Sequence, residues 1–276
     1  MNSIYQYASS SNQRQEGFSL VEVLVALMIS LFLIAGVIQL FIGSKQSYRF
    51  YDALSRIQEN GRFALEAISG DIRMADYRPT PIPENPNPPP NKYSLPTTPI
   101  GRGSANENDI LIQWLDPCPP SPALCTPRAC PAADGICSRR YFVGPRTAGS
   151  TAPTCPSAAT SLLVDRGDGA GPQELIEGVQ AIQVLYGICD TDTDGDALMD
   201  TVTPPYRNAK AVTDSGKWLN VCSVRINLLV VSLENNIVAT PQTILFPAET
   251  ATVFPVNDRC LRQAFSTTVR IRNRMP

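Results

Sequence analysis

The chain has 276 residues, a formal net charge of −2, eight cysteines and no histidine. Near-balanced charge leaves no electrostatic footprint for nucleic acid. The missing imidazole removes the commonest general base and every Ser-His-Asp or Cys-His arrangement. No Asp/Glu pair stands in a recognisable catalytic frame, so an enzyme is the weaker expectation and no cofactor is required.

The first 17 residues are polar, with Asn2, Ser3, Gln6, Asn12, Gln13, Arg14, Gln15 and Glu16 ahead of Gly17. Phe18-Ser19-Leu20-Val21-Glu22 follows, and from Val23 to Ser44 there is no charge at all. About 20 apolar residues cross a ~30 Å hydrocarbon core, so this run predicts a membrane-spanning helix. A secretory signal peptide places its cleavage site after the apolar core. Here the candidate processing glycine precedes the core, and cutting at Gly17 would leave the helix attached. Glu22 at the hydrocarbon edge is unfavourable, by up to roughly 3 kcal/mol if deep, and asks for a cationic partner.

At Gly17 and Phe18 to Glu22 the chain resembles the type IV prepilins, whose leader ends in Gly and whose mature chain begins F-S-L-V-E. The resemblance implies that prepilin peptidase cuts between Gly17 and Phe18 and that the new amino terminus of Phe18 is methylated. It also implies that Glu22 meets a neighbouring subunit's amino terminus, where two poorly solvated opposite charges neutralise each other and set register. The leader departs from the usual pattern, because Arg14 is offset by Glu16.

Beyond the anchor, Leu54, Ile57, Gly61, Leu65, Ile68, Ile72 and Ala75 recur at steps of three and four, the period of one helix face. Arg49, Asp52, Arg56, Glu59 and Arg62 lie mostly off that stripe, so a half-buried helix is expected, bounded by Pro79. Within it, Gln58-Glu59-Asn60-Gly61-Arg62-Phe63-Ala64-Leu65 and Asp71-Ile72-Arg73-Met74-Ala75-Asp76-Tyr77 resemble the corresponding helix of the PilW family of minor pilins.

Pro79 to Pro99 holds nine prolines in 21 residues, which predicts an extended surface segment. Asp109 to Leu115 reads as the first strand, and Arg140 to Val143 and Ser161 to Val164 as further short ones, with loop between. No C-x-x-C occurs among Cys118, Cys125, Cys130, Cys137, Cys155, Cys189, Cys222 and Cys260, so a zinc ribbon is not expected. An even count after a membrane anchor predicts disulfides in an oxidising compartment, about 2 to 4 kcal/mol each. The sequence does not choose the pairing, although the crowding of the first four favours local bridges among them.

Glu174 to Gly187 reads as one alternating stretch through Ile182, Val184 and Tyr186. It leads into Asp-Thr-Asp-Thr-Asp-Gly-Asp-Ala-Leu-Met-Asp, where Asp190, Asp192, Asp194, Asp196 and Asp200 could turn hard oxygen ligands toward one calcium ion. Counted from Asp190, glycine falls at loop position 6 but Thr201 replaces the bidentate Glu at position 12. Counted from Asp192, the glycine is lost. A solvated acidic turn is the competing account. Cys222, Val224, Ile226, Leu228 and Val230 alternate with Ser223, Arg225 and Asn227. Phe265, Thr267, Val269 and Ile271 alternate with Ser266, Thr268, Arg270 and Arg272, giving a last strand with a basic outer face.

Leu175 to Gly187, Trp218 to Ser232, and Asp258 to Phe265 through Pro276 also resemble PilW-family proteins, so the resemblance spans most of the chain outside 79–156. It implies an α+β pilin-like fold: a long N-terminal helix, half transmembrane and half amphipathic, packed on a mainly antiparallel β-sheet with disulfide-rich loops. The expected organisation is a leader over 1–17, a transmembrane and assembly helix over 18–44, and an amphipathic helix over 45–78. A Pro- and Cys-rich region over 79–156 and a β-rich head over 157–276 follow. The implied function is a minor pilin in initiation of type IV pilus assembly, within a tip-located complex. Its implied partners are other minor and major pilins, the inner-membrane assembly machinery and prepilin peptidase. The implied location is the inner membrane, single-pass with the head in the periplasm, and then the pilus. A minor pseudopilin of a type II secretion system or a tip-displayed adhesin are the alternatives.

Overall fold

A computed structural model describes residues 17–77, 100–102, 109–115, 136–146, 154–191, 201–247 and 253–274. The chain divides at Tyr48/Arg49 into two compact units. The helix α1 runs over Leu20–Met74. Every residue from Gly17 to Arg49 is exposed, and burial begins with Ala53.

In the second unit, the buried positions of α1 are Ala53, Ile57, Gly61, Ala64, Ile68, Ser69, Asp71 and Ile72. The predicted stripe is therefore the core face, with Leu54 and Leu65 packed at its margin. Ile57, Ile68 and Ile72 are essentially fully buried, and each contributes about 1.5 to 3 kcal/mol by leaving water.

The helix ends five residues before Pro79. After Met74 the chain turns through Ala75 and Asp76, which takes the left-handed conformation at φ 59°. The carbonyls orphaned at this end are met from the far end of the chain: Asn273 Nδ2 donates to Arg73 O at 3.1 Å and to Ala75 O at 2.9 Å.

The head contains β1 (Ile100–Arg102), β2 (Ile110–Leu115), β3 (Ile136–Pro145), β4 (Thr160–Asp165) and β5 (Gln173–Glu177), an antiparallel sheet in order β1-β2-β3-β4-β5. Asp109 to Leu115 is thus the second strand, and β3 starts earlier than Arg140, inside the stretch read as loop. A second sheet has the order β11-β8-β6-β7, built from β6 (Val179–Thr191), β7 (Thr201–Arg207), β8 (Val221–Val231) and β11 (Arg262–Arg270). It too is antiparallel. The short hairpin of β9 (Ile244–Leu245) and β10 (Val253–Phe254) stands apart.

The single alternating stretch expected from Glu174 to Gly187 is two strands. Gly178 separates them at φ 73°, and a Cβ there would lie 2.6 Å from Val231 O. Only glycine takes that backbone shape at that approach without strain. The helix α2 (Ala209–Ser215) is bounded by equally local chemistry: Asn208 Oδ1 accepts from Ala211 N at 2.9 Å, and Gly216 ends it at φ 66°.

β8 departs from simple alternation. Ser223 and Asn227, expected on the solvated face, are buried. β8 is a central strand, and the β6 and β7 side supplies their partners: Ser223 Oγ lies 3.1 Å from Tyr206 Oη, and Asn227 Nδ2 donates to Gln183 Oε1 at 2.8 Å. Polar residues are satisfied there by one another rather than by water.

Candidate functional site

Gly17, Phe18 and Glu22, the residues expected to serve processing and assembly, are all exposed. A Cβ on Gly17 would meet nothing within 4 Å, and Phe18 is 82% exposed. The helix begins with Val23 N donating to Ser19 O at 3.1 Å. Glu22 lies in that first turn, where unpaired N–H groups and the helix dipole favour a carboxylate by about 0.3 to 1 kcal/mol.

Beyond Glu22, from Val23 to Ile42, the exposed surface is uncharged and mostly apolar. The most apolar 18-residue window of α1 has a mean hydropathy of 2.7, and none of it is buried. By length and composition it suffices to cross a membrane. Ser30 Oγ donates back to Ala26 O at 2.7 Å, so this hydroxyl is satisfied without water. An apolar surface of this extent has to be covered by lipid or by other helices.

In the head, Asp71 joins α1 to the first sheet. Arg139 Nη1 donates to its Oδ1 at 2.7 Å and to its Oδ2 at 2.9 Å, and Tyr141 Oη donates to Oδ2 at 2.5 Å. Arg139 also lies 5.5 Å from the centroid of the Trp114 ring. Burial, helped by the Asp71 charge, pushes the Tyr141 phenol well above its ordinary range, which keeps it a donor.

A second charged group centres on Arg262 at the start of β11. The Arg262 side chain has no exposure. Its Nη1 and Nη2 donate to Oδ1 and Oδ2 of Asp258 at 2.6 and 2.8 Å, and its Nε donates to Gln180 Oε1 at 2.8 Å. Ser157 Oγ donates to Asp258 Oδ2 at 2.5 Å and Cys260 N to Oδ1 at 3.1 Å. The bidentate Arg262 hydrogen bond, with those from Ser157 and Cys260, outweighs burial and draws the Asp258 carboxyl down to about 2.

Cys155 and Cys260 form a disulfide across 105 residues, and Cys189 and Cys222 one across 33. Cys137 is disulfide-bonded as well. Cys118, Cys125 and Cys130 lie outside the described residues. Asp258 comes close to Cys155 and Cys260, but these sulfurs are bonded to each other and the carboxylate to Arg262, so the donor set does not suit a metal. Of the aspartates singled out for calcium, Asp192, Asp194, Asp196 and Asp200 lie outside the described residues, as does the side chain of Asp190.

Residues 12–38 match the prokaryotic N-terminal methylation motif, and residues 140–273 match the family described as Type IV Pilus-assembly protein W, PilW. The chain is a PilW-like type IV pilin. No curated protein matches it. Among solved structures it is similar to a type IV-like pilin from Thermus thermophilus, at 14% identity and a TM-score of 0.35, over 82% of this chain and 98% of that one.

The family assignment gives the apolar helix of the pilin a role as membrane anchor. Within the PilW match lie Tyr141, the Cys155–Cys260 and Cys189–Cys222 disulfides, and the Asp258–Arg262 pair. The sequence reading passed over Asp71, Tyr141, Arg262 and Asn273 as site residues. Asp71 alone carried a signal, since it is the one charge on an otherwise uncharged helix face.

Proposed function

We propose that this pilin takes part in the initiation of type IV pilus assembly, as a minor subunit of a tip-located complex. The observation that carries the reading is the exposed, predominantly apolar surface of α1 from Leu20 to Ile42, whose one charged residue, Glu22, lies in its first turn. In this reading prepilin peptidase removes residues 1–17, and Phe18 becomes the methylated amino terminus. The helix waits in the inner membrane with its head in the periplasm. Its apolar surface then moves from lipid to the helices of other minor and major pilins, a transfer that costs little because both surroundings are apolar. Glu22 pairs with a neighbouring α-ammonium, and this pairing sets the axial register. The inner-membrane assembly machinery draws on the resulting nucleus.

Mass spectrometry of sheared pili tests this. The expected result is a chain starting at a methylated Phe18, co-purifying with other pilins, together with loss of surface pili when the gene is deleted. Normal piliation in the deletion strain would overturn the initiation role. A Glu22→Ala chain that is processed and still assembles at the normal level would overturn the role of Glu22.

A further inference from the structure

The last strand of the second sheet is an edge. β11 pairs with β8 on one side, from Arg262 opposite Val231 to Arg270 opposite Ser223. The hydrogen bonds at its two ends fix which residues face β8. Ser232 N donates to Leu261 O and Ile271 N to Cys222 O, both at 2.8 Å. On the other side of β8, Val231 N donates to Gly178 O at 2.8 Å. Along an antiparallel strand the backbone groups of successive residues point alternately to one neighbour and the other. Gln263, Phe265, Thr267 and Val269 therefore bond to β8, and Arg262, Ala264, Ser266, Thr268 and Arg270 point away from it.

Of these five outward-facing N–H groups, one has a partner among the described residues: Arg262 N donates to Gln242 Oε1 at 2.7 Å. Gln242 thus closes the edge at its start. Among the described residues nothing pairs with the outward groups from Ala264 to Arg270, and the strand carries few of the usual guards. There is no proline, lysine or bulge in β11, and natural sheets blunt an exposed edge with such features. Ala264, Ser266 and Thr268 are exposed and small.

Arginines gather at the far end of the strand. Arg225 stacks on Tyr206, 4.1 Å from the ring centroid, and its Nε donates to Thr268 Oγ1 at 3.3 Å. Arg270 and Arg272 continue beyond it, both exposed.

We propose that β11 receives an extended strand from a neighbouring pilin-type subunit, paired along Ala264 to Arg270, with carboxylates of that strand beside Arg225 and Arg270. Strand addition supplies affinity through main-chain hydrogen bonds and specificity through side chains at alternate positions. The choice of a pilin-type subunit rests on the assembly reading above; the open edge and its positive end do not.

Amide hydrogen exchange of the full chain, in detergent micelles and in sheared pili, tests the proposal. In micelles the amides of Phe265, Thr267 and Val269 should exchange slowly and those of Ala264, Ser266, Thr268 and Arg270 fast. In pili the second group should slow by about a hundredfold or more. A Ser266→Pro chain loses an outward N–H and no ladder bond. It should melt as the Ser266→Ala chain does and lose about tenfold in co-purifying subunits, which the alanine chain should retain. Arg270→Glu should also reduce that yield. A chain that is present in pili with its edge amides still fast overturns strand addition and leaves the assembly reading intact. Absence of the chain from pili overturns both. Protection already present in micelles, where no other pilin is present, overturns the proposal.

Discussion

A Cβ on Gly61 of α1 would lie 2.4 Å from Cε2 of Phe265 on β11, and 2.6 Å from its Cδ2 and Cζ. The helix and the second sheet meet here at a distance that only a hydrogen fits. Glycine in a helix interior costs about 1 kcal/mol relative to alanine, so a Gly61→Ala change brings a gain in propensity together with a clash. Overpacking costs about 1 to 3 kcal/mol, and the Phe265 ring, packed against the core, has to shift to admit the methyl. We expect Gly61→Ala to lower the melting temperature of the full chain in micelles and Gly61→Val to lower it further. Gly61→Ala combined with Phe265→Ala should be less destabilised than the sum of the two single changes, which a double-mutant cycle would show.

Asp71 accepts from both Arg139 and Tyr141 while sitting on the buried side of α1. Its side chain is 12% exposed and that of Arg139 is 36%, so the pair is only half sheltered from water. Asp71→Asn leaves a guanidinium without its counter-charge, and we expect a loss of about 1 to 3 kcal/mol. Tyr141→Phe removes one neutral donor and should cost about 1 kcal/mol. Urea unfolding of the full chain in micelles checks both, and equal losses for the two variants would contradict this ranking.

The helical period was legible because Ile57, Ile68 and Ile72 have one job, to face the core. The end of the helix was not, because Asn273 caps it from 200 residues along the chain and no local signal announces such a partner. Gly178 was visible in the sequence as a glycine inside an alternating run. Its close approach to Val231 O arises only when β6 and β8 pair. The same holds for Arg262, which reads as a surface cation until Asp258, Gln180 and Ser157 are brought around it. Local periodicity reports which way a side chain points, and long-range contact decides whether water reaches it.

The Asp258–Arg262 pair predicts an acid-sensitive head. The folded carboxyl is drawn from 3.8 to about 2, chiefly by its hydrogen bonds to Arg262. A carboxyl whose folded value is depressed contributes its stabilisation fully above the unfolded value, and loses it as pH falls through the folded one. The contribution should therefore be complete above about pH 5 and decline between there and about pH 2. In an Asp258→Asn chain this part of the acid dependence should vanish. Melting temperatures across that range for both chains supply the test, and parallel profiles would refute the assignment.

The two described disulfides should differ in what their removal costs. Cys155–Cys260 closes a loop of 105 residues and Cys189–Cys222 one of 33. Restricting the unfolded chain stabilises more as the loop lengthens, by about 1 kcal/mol between these two lengths. The longer bridge also holds a cluster of its own, since Cys155 and Cys260 pack with Ala158, Val231 and Leu233, and Cys155 N donates to Leu233 O at 3.0 Å. Cys189 and Cys222 instead join β6 to β8, strands already paired along their length. Replacing both members of the first bridge by alanine should therefore destabilise the full chain more than the same change in the second. Calorimetry of the two variants in micelles measures the difference, and the reverse order would show that the ladder between β6 and β8 depends on its bridge.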